Sequence, residues 1–288
     1  MDSTPSPPYS NFMAKLIVIP ARLASQRLPR KLLLDETGWP LIRHVHERCL
    51  QVQDVDRVIV ATDGEPLQTV VEEFGGEAVI TAEDLPTGTD RVAAACQTLG
   101  LSGDDLVINV QGDEPQLDPD HVQMLIELLE NHPDCGVATL AVSRSGRDSE
   151  ADFRNPNRVK VITDGAGRAL AFTRSPVPET ADGEVPEQGW LQHIGIYGFR
   201  NEALQRFCHL PRGVLEQQER LEQLRLLEAG CEIRVGTVES AAAGIDTEQD
   251  YRRFVEKIRR MKQDPGGEGK AGMSPAGNPE QKGTDENA

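Results

Sequence analysis

The sequence lacks any apolar run approaching the roughly 20 residues that a membrane-spanning helix requires. Its first residues, MDSTPSPPYSNFMAK, also lack the apolar core of a secretory signal peptide. Together these absences argue against membrane insertion and against secretion. We therefore expect a cytoplasmic protein.

The sequence is also short of positive charge. Lys and Arg number 30 against 47 Asp and Glu, which gives a net charge of −17. Proteins that bind nucleic acids present a basic face, and anionic membranes attract basic segments. The overall charge thus argues against a nucleic-acid partner, although it still allows a local basic pocket for a polyphosphate.

Cysteine is sparse and scattered. No two cysteines have C-x-x-C spacing, and no His stands at a spacing that marks a cysteine nucleophile. An odd, dispersed set predicts reduced thiols, most of them buried. The five positions are Cys49, Cys96, Cys135, Cys208 and Cys231.

The two ends of the chain differ in composition from the rest. Residues 1–12 are rich in Pro and Ser, which predicts a flexible leader. Residues 263–288 contain almost no large apolar side chain, which predicts a disordered acidic tail. No internal repeat occurs between them, so we expect residues 13–262 to form a single domain.

Within that region, strand-like and helix-like segments alternate. This alternation predicts an α/β fold with a mixed, mostly parallel sheet flanked by helices. Residues 175–190 have loop composition, and a loop of that length indicates a functional or mobile segment such as a lid. The strand-like runs are Leu16–Ile19, Arg57–Ala61, Ala78–Thr81, Leu106–Val110, Val137–Val142, Arg158–Thr163, Ala169–Phe172, Gly195–Phe199 and Glu232–Val235. Helix-like segments lie near 40–52, 66–74, 88–99, 117–131, 215–229 and 247–261.

The loop after the first strand is the most informative stretch. The first run ends at Pro20, and the loop that follows carries Arg22, Arg27 and Lys31 among small residues. Ligand sites in open α/β sheets lie beyond the carboxyl ends of strands. A basic loop in that place is a candidate clamp for phosphates. The alternative is a solvated surface loop, because cations are mostly exposed.

Two acidic stretches are candidate metal ligands. In LVINVQGDEP an apolar strand is followed by Gly112 and Asp113. Gly112 permits close backbone approach, and Asp113 is suited to a hard cation such as Mg²⁺. The alternative is a turn whose acids face water. GIDT contains Asp246 directly before the last helix, where it could supply a second carboxylate. Alternatively, Asp246 or Thr247 caps that helix.

Three further polar stretches have both a functional and a structural interpretation. In LPTGTDR, Thr87 and Gly88 precede a helix and either offer hydroxyl and N–H groups to an oxygen-rich ligand or cap the helix. HIGIYG places His193 and Tyr197 on one face of a strand, although a lone His is more often structural. The polar residues of LEQLR belong either to a site or to a solvated helix face.

These stretches resemble one family when taken in order. IPARLASQRLPRK is similar to the nucleotide-binding signature of sugar-activating cytidylyltransferases. With VQGDEP, HIGIYG, LEQLR and GIDT, the chain resembles the 3-deoxy-manno-octulosonate cytidylyltransferase (CMP-Kdo synthetase) family from about Lys15 to Ile258. The resemblance implies a nucleotide-diphospho-sugar transferase fold of the GT-A, Rossmann-like type. It also implies a homodimer that joins CTP and 3-deoxy-manno-octulosonate (Kdo) with Mg²⁺, giving CMP-Kdo for lipopolysaccharide and pyrophosphate.

The resemblance further implies roles for individual residues. Nucleotide contacts are assigned to Ala21, Arg22, Arg27, Lys31, Thr87 and Gly88. Metal ligation is assigned to Asp113 and Asp246, which with Lys31 form the catalytic set. Sugar contacts are assigned to Gln111, Arg174, His193, Tyr197, Glu222 and Gln223.

The chain departs from the family pattern in two places. Arg30 stands where many relatives have Gly, and the acidic 175–190 loop lacks a basic residue that several relatives carry after the position of Arg174. The second departure leaves open a related cytidylyltransferase that uses another 2-keto acid sugar, such as sialate. A nucleotide-binding regulator without catalysis is an alternative from another class, but the complete set of charged positions argues against it.

Overall fold

A central β-sheet organises the computed structural model, which describes residues 13–25, 27–145 and 150–263. Within these ranges the sheet has nine strands. They are β1 (Lys15–Ala21), β2 (Arg57–Thr62), β3 (Glu77–Ile80), β4 (Leu106–Asn109), β5 (Val137–Arg144), β6 (Lys160–Thr163), β7 (Ala169–Thr173), β8 (Trp190–Arg200) and β9 (Arg234–Val238). The predicted leader and all but the first residue of the predicted tail lie outside the described residues.

The strand order is β3-β2-β1-β4-β8-β5-β9. Neighbouring strands run parallel except at β8, which is antiparallel to both β4 and β5. β6 and β7 form an antiparallel hairpin attached to β8. The predicted mixed, mostly parallel sheet is therefore confirmed.

Helices cover both faces of the sheet because β1 is apolar on both sides. Ile17 and Ile19 face one core, whereas Leu16 and Val18 face the other, and all four are at most 2% exposed. Burying each such side chain contributes about 1.5–3 kcal/mol. The helices are α1 (Leu41–Cys49), α2 (Glu65–Glu73), α3 (Gly88–Leu99), α4 (Pro119–Asn131), α5 (Glu150–Arg154), α6 (Asn201–His209), α7 (Val214–Glu219), α8 (Leu224–Glu228) and α9 (Glu248–Gln263), with a 3₁₀ turn over Lys31–Leu33.

The prediction that Pro20 stops the first strand after Ile19 is wrong, because β1 continues to Ala21. Pro20 pairs in register with Ala61 of β2, whereas pairing with β4 has already ended at Val18. The missing N–H of proline therefore costs no ladder hydrogen bond on the β4 side.

The prediction of a single helix over 215–229 is also wrong. The segment forms α7 and α8, separated by Arg220 in the left-handed conformation (φ 55°). The break lets the Arg225 guanidinium reach the Glu216 carboxylate at 2.5 and 2.8 Å. In one continuous helix these residues would be about 13.5 Å apart along the axis, so they could not pair.

Other boundaries differ less. Residues 175–189 lie outside helices and strands, as predicted, but β8 begins at Trp190, earlier than the predicted Gly195. The short helix α5 and the helix α6 were not predicted. None of the helices in the described ranges has the length and apolar character needed to cross a bilayer.

Candidate active site

A cavity of about 440 Å³ opens beyond the carboxyl ends of β1 and β4. These strands are adjacent and parallel, so the loops that follow them meet at the same edge of the sheet. Glu222 and Asp246 complete the wall from distant parts of the chain. The other lining residues include Ala21, Arg22, Arg27, Lys31, Thr87, Gly88, Arg91, Gln111, Gly112 and Asp113.

The basic loop is shaped by a tight turn. Arg30 adopts a left-handed conformation (φ 52°), and Leu33 N–H donates to its carbonyl at 2.9 Å. Leu32, only 6% exposed, anchors the turn in the core. A left-handed non-glycine residue costs about 1–2 kcal/mol, which explains why glycine suits this position. Arg30 is exposed and does not line the cavity.

Lys31 points into the base of the cavity. Its ammonium donates to Asp113 Oδ2 at 2.6 Å and to the carbonyl oxygen of Ile245 at 2.7 Å, and it lies 3.6 Å from Asp246 Oδ1. The Arg27 guanidinium also contacts Asp246 Oδ1, at 3.1 Å. The structure thus brings together the two predicted metal ligands and two of the predicted phosphate ligands.

Asp246 is held beside Lys31 by the backbone before α9. Ile245 is 1% exposed, and its N–H donates to the Asp113 carbonyl at 2.8 Å. Thr247 caps the helix, since its hydroxyl accepts from Asp250 N–H at 3.2 Å while the Asp250 carboxylate accepts from Thr247 N–H at 2.9 Å. Capping by Thr247 leaves the Asp246 side chain to face the cations.

Gly112 allows the loops after β1 and β4 to approach closely. A Cβ at this position would lie 3.1 Å from the Pro20 carbonyl oxygen and 3.3 Å from Ile42 Cδ1. Both contacts are tighter than side chains normally adopt. The absence of a side chain therefore keeps Asp113 close to the basic loop.

Thr87 and Gly88 combine the two roles considered for them. The Thr87 hydroxyl accepts from Asp90 N–H at 3.2 Å and caps α3, while both residues line the cavity. A Cβ on Gly88 would lie 3.3 Å from Pro20 Cγ. The N-terminus of α3 therefore faces the cavity and can donate to a bound anion.

Sequence reasoning missed Arg91, which lies in the first turns of α3. Its side chain is in the cavity wall, yet the residue is only 3% exposed. The guanidinium donates to Thr81 Oγ1 at 2.5 Å and to the Ala82 carbonyl at 3.1 Å. Burial lowers the pKa of Arg91. The sequence signal available for Arg91 was its position three residues after Gly88 on the same helix.

The predicted sugar ligands divide into two groups. Gln111 and Glu222 line the cavity, and Thr89 donates to Glu222 Oε2 at 3.2 Å. Burial raises the pKa of Glu222, and burial together with the nearby Glu222 raises the pKa of Tyr197. Tyr197 is thus close to Glu222 without itself lining the cavity.

His193 and Gln223 belong to the layer behind this wall. The His193 ring lies 5.6 Å from the ring of Tyr197, and its Nε2 hydrogen-bonds with Thr139 Oγ1 at 3.0 Å. Burial lowers the pKa of His193 to about 3, so the ring is neutral at pH 7. Gln223 is 6% exposed, and its Nε2 has no hydrogen-bond partner in the described structure.

Arg174 is separate from the cavity lining. Its guanidinium donates to the carbonyl oxygens of Glu219 at 2.7 Å, Pro156 at 3.0 Å and Arg220 at 3.4 Å. These contacts tie the end of β7 to the end of α7. In this conformation the side chain holds protein backbone, and a sugar-binding role would require it to exchange these partners.

The carboxylates can form a hard-cation site only with other ligands. No group of three or more His, Cys, Asp or Glu side chains suited to a metal occurs within the described ranges. However, Asp113, Asp246 and the Ile245 carbonyl present oxygens to one cation, the Lys31 ammonium. Mg²⁺ is commonly held by one or two carboxylates plus substrate phosphates and water. The donor set therefore fits Mg²⁺ bound together with a nucleotide.

The chain is similar to known cytidylyltransferases over most of its length. A family model described as cytidylyltransferase matches residues 16–233. A 3-deoxy-manno-octulosonate cytidylyltransferase from Syntrophobacter fumaroxidans is 44% identical over 238 residues, covering 83% of this chain and 94% of the relative. An 8-amino-3,8-dideoxy-manno-octulosonate cytidylyltransferase from Shewanella halifaxensis is 42% identical and covers 82% of this chain and 95% of the relative.

A solved structure is similar to this chain in fold as well as in sequence. The structure of a CMP:2-keto-3-deoxy-manno-octonic acid synthetase complexed with CTP matches with a TM-score of 0.80 at 40% identity. The match covers 86% of this chain and 99% of that one. The chain therefore belongs to the cytidylyltransferase family.

Proposed function

We propose that this protein transfers CMP from CTP to the anomeric hydroxyl of Kdo, forming CMP-Kdo and releasing pyrophosphate. The observation that carries the proposal is the meeting of Lys31, Asp113 and Asp246 at the base of a cavity beyond β1 and β4. Relatives named for this reaction are similar over most of the chain.

The basic loop supplies the charge for binding the triphosphate. Arg22 and Arg27 are exposed in the cavity wall, whereas the Lys31 side chain is 11% exposed at its base. This arrangement places two exposed guanidinium groups around one enclosed ammonium. The α3 N-terminus adds backbone donors on the side of Gly88.

The sugar acid is expected to bind on the side of Gln111 and Glu222. Both residues line the cavity next to the nucleotide wall. A sugar hydroxyl bound there would be held close to the α-phosphorus. Transfer of this kind depends mainly on positioning and charge stabilisation, so no protein nucleophile is needed.

Asp113, Asp246 and the Ile245 carbonyl would hold Mg²⁺. When bound, Mg²⁺ supplies Lewis-acid polarisation of a phosphate and helps to ionise the attacking hydroxyl. The two carboxylates also balance the cations of the loop. We further propose a cytoplasmic homodimer acting in lipopolysaccharide precursor synthesis, as the family resemblance implies.

The deciding experiment measures pyrophosphate release from CTP and Mg²⁺ with each of three sugars. These are Kdo, 8-amino-3,8-dideoxy-manno-octulosonate and sialate. We expect the highest kcat/KM with Kdo, while faster turnover of either other sugar would overturn the choice of substrate. Binding of CTP without pyrophosphate release from any sugar would favour the regulator alternative.

A further inference from the structure

The Lys31 ammonium is surrounded by oxygens from two distant segments of the chain, one at Asp113 and one at Ile245 and Asp246. It lies 2.6 Å from Asp113 Oδ2, 2.7 Å from the Ile245 carbonyl oxygen and 3.6 Å from Asp246 Oδ1. These are the same oxygens that would hold a divalent cation. An ammonium bonded to them and a metal ion bound by them therefore exclude each other.

The ammonium also has a structural effect in this position. Two carboxylates facing a common point repel each other unless a cation lies between them. Lys31 provides that cation on a flexible stem with three donors, two of which are used in short contacts. The pair is thus held ready without a metal.

We propose that Lys31 is an internal cation that occupies the metal position in the nucleotide-free protein and leaves it when a triphosphate binds. The phosphates offer the ammonium new anionic partners, and they complete the ligand set of the incoming metal. Metal and nucleotide binding are then positively coupled, and by linkage each tightens the other by the same factor.

In the absence of nucleotide, a divalent ion has to displace the ammonium, so its apparent affinity is lowered by the free energy of the Lys31 contacts. Removing the positive charge while keeping the length of the side chain should remove this competition. Lys31→Met is the closest uncharged replacement, and Lys31→Gln is a second one.

The test is a titration of nucleotide-free protein with Mn²⁺, followed by electron paramagnetic resonance of the free ion. We expect Lys31→Met to bind Mn²⁺ about tenfold or more tightly than the parent, within the usual range of coupling energies. The double variant Lys31→Met/Asp113→Asn should lose this gain. CTP should tighten Mn²⁺ binding in the parent by a larger factor than in Lys31→Met.

Lys15→Met is the matched control. Lys15 is also a partly buried lysine with a carboxylate partner, 2.5 Å from Glu130, but it lies outside the cavity. Its replacement should leave Mn²⁺ affinity at the parent value. Thermal unfolding of each variant verifies folding, and Lys31→Gln replaces Lys31→Met if the latter does not fold.

Mn²⁺ affinity in both Lys31 variants equal to or weaker than that of the parent would overturn the inference. The inference rests on the proposed metal-dependent reaction, but its test uses neither Kdo nor turnover. Tighter Mn²⁺ binding by Lys31→Met, together with a parent protein that releases no pyrophosphate, would refute the proposed function alone. A parent protein that turns over Kdo, together with Lys31 variants that bind Mn²⁺ no more tightly than the parent, would refute the Lys31 inference alone.

Discussion

The proposed chemistry depends most directly on two single residues, Asp113 and Asp246. They have different surroundings, since the Asp113 side chain is 32% exposed and that of Asp246 is 51% exposed. Asp113 has the shorter contact with Lys31, whereas Asp246 also pairs with Arg27. Replacing either aspartate by asparagine removes one negative charge from the site without a large change in side-chain volume.

We expect Asp113→Asn and Asp246→Asn each to lower kcat by at least about 100-fold, comparable to the loss of one group that stabilises charge in a transition state. Pyrophosphate release with CTP, Mg²⁺ and Kdo measures the loss. Thermal unfolding should stay near that of the parent, because neither side chain is buried in a core. The exposed Asp104→Asn is a control that should keep parent turnover. Parent rates in both site variants would refute the metal assignment.

Among the secondary-structure elements, α7 and α8 flank two residues of the candidate site, Glu222 and Gln223. A buried ion pair between Glu216 and Arg225 joins the two helices, with both side chains no more than 7% exposed. The Arg225 guanidinium also packs on the ring of Phe207 at 4.4 Å. The position of Glu222 in the cavity wall therefore depends on this pair.

Arg225→Met should lower the free energy of unfolding by about 3–5 kcal/mol, because it leaves the Glu216 carboxylate buried without its partner. Urea denaturation measures this change. The double variant Glu216→Gln/Arg225→Met should recover part of the loss, since no unpaired charge remains. Removing the exposed Arg212 by Arg212→Met should have little effect. An Arg225→Met protein as stable as the parent would show that the pair does not hold the segment.

For the molecule as a whole, α9 packs against an early part of the described chain, between Glu36 and His44. The Tyr251 hydroxyl accepts from Glu36 N–H at 3.0 Å, and the Phe254 ring meets the His44 ring edge-on at 5.0 Å. Burial, followed by the charges of Lys262 and Arg43, lowers the pKa of His44 to about 4. Since Asp246 lies directly before α9, docking of this helix also positions a site carboxylate.

Stability should therefore depend on pH through His44. The unfolded chain takes up a proton near pH 6.5, whereas the folded protein does so only near pH 4. The His44 contribution is thus complete above pH 6.5 and is lost as the pH falls towards 4. Glu114 has the opposite effect, because burial raises its pKa to about 7 and the folded protein retains that proton.

A variant comparison separates these effects. We expect the stability advantage of the parent over His44→Gln to shrink as the pH is lowered from 6.5 to 4, as measured by urea denaturation at each pH. Exposed His209→Gln should follow the pH profile of the parent. A difference between parent and His44→Gln that stays constant across this range would contradict the proposed role of His44.

Much of the fold could be predicted because local patterns determine it. The apolar run of β1 and the helix periodicity near 88–99 are properties of neighbouring residues, and both elements formed close to the predicted bounds. The break between α7 and α8 could not be predicted in this way. It depends on Glu216 and Arg225 meeting across a turn, which no helical period encodes.

The same division applies to the candidate site. The motifs alone indicated the family, the nucleotide loop and the two carboxylates. Their spacing along the chain could not indicate that Arg174 holds backbone carbonyls or that the buried Arg91 lines the cavity. Side-chain partners of this kind depend on which surfaces face each other after folding.

The class of fold and the type of chemistry follow from the amino-acid sequence alone, because short-range periodicity and ordered motifs are local properties. The partners of the Lys31 side chain, in contrast, follow from the tertiary structure. Its ammonium contacts Asp113, 82 positions away, and Ile245, 214 positions away. Contacts over such separations arise because parallel strands end at one edge of the sheet and the segment before α9 reaches the same place, which brings distant charges within 4 Å of each other.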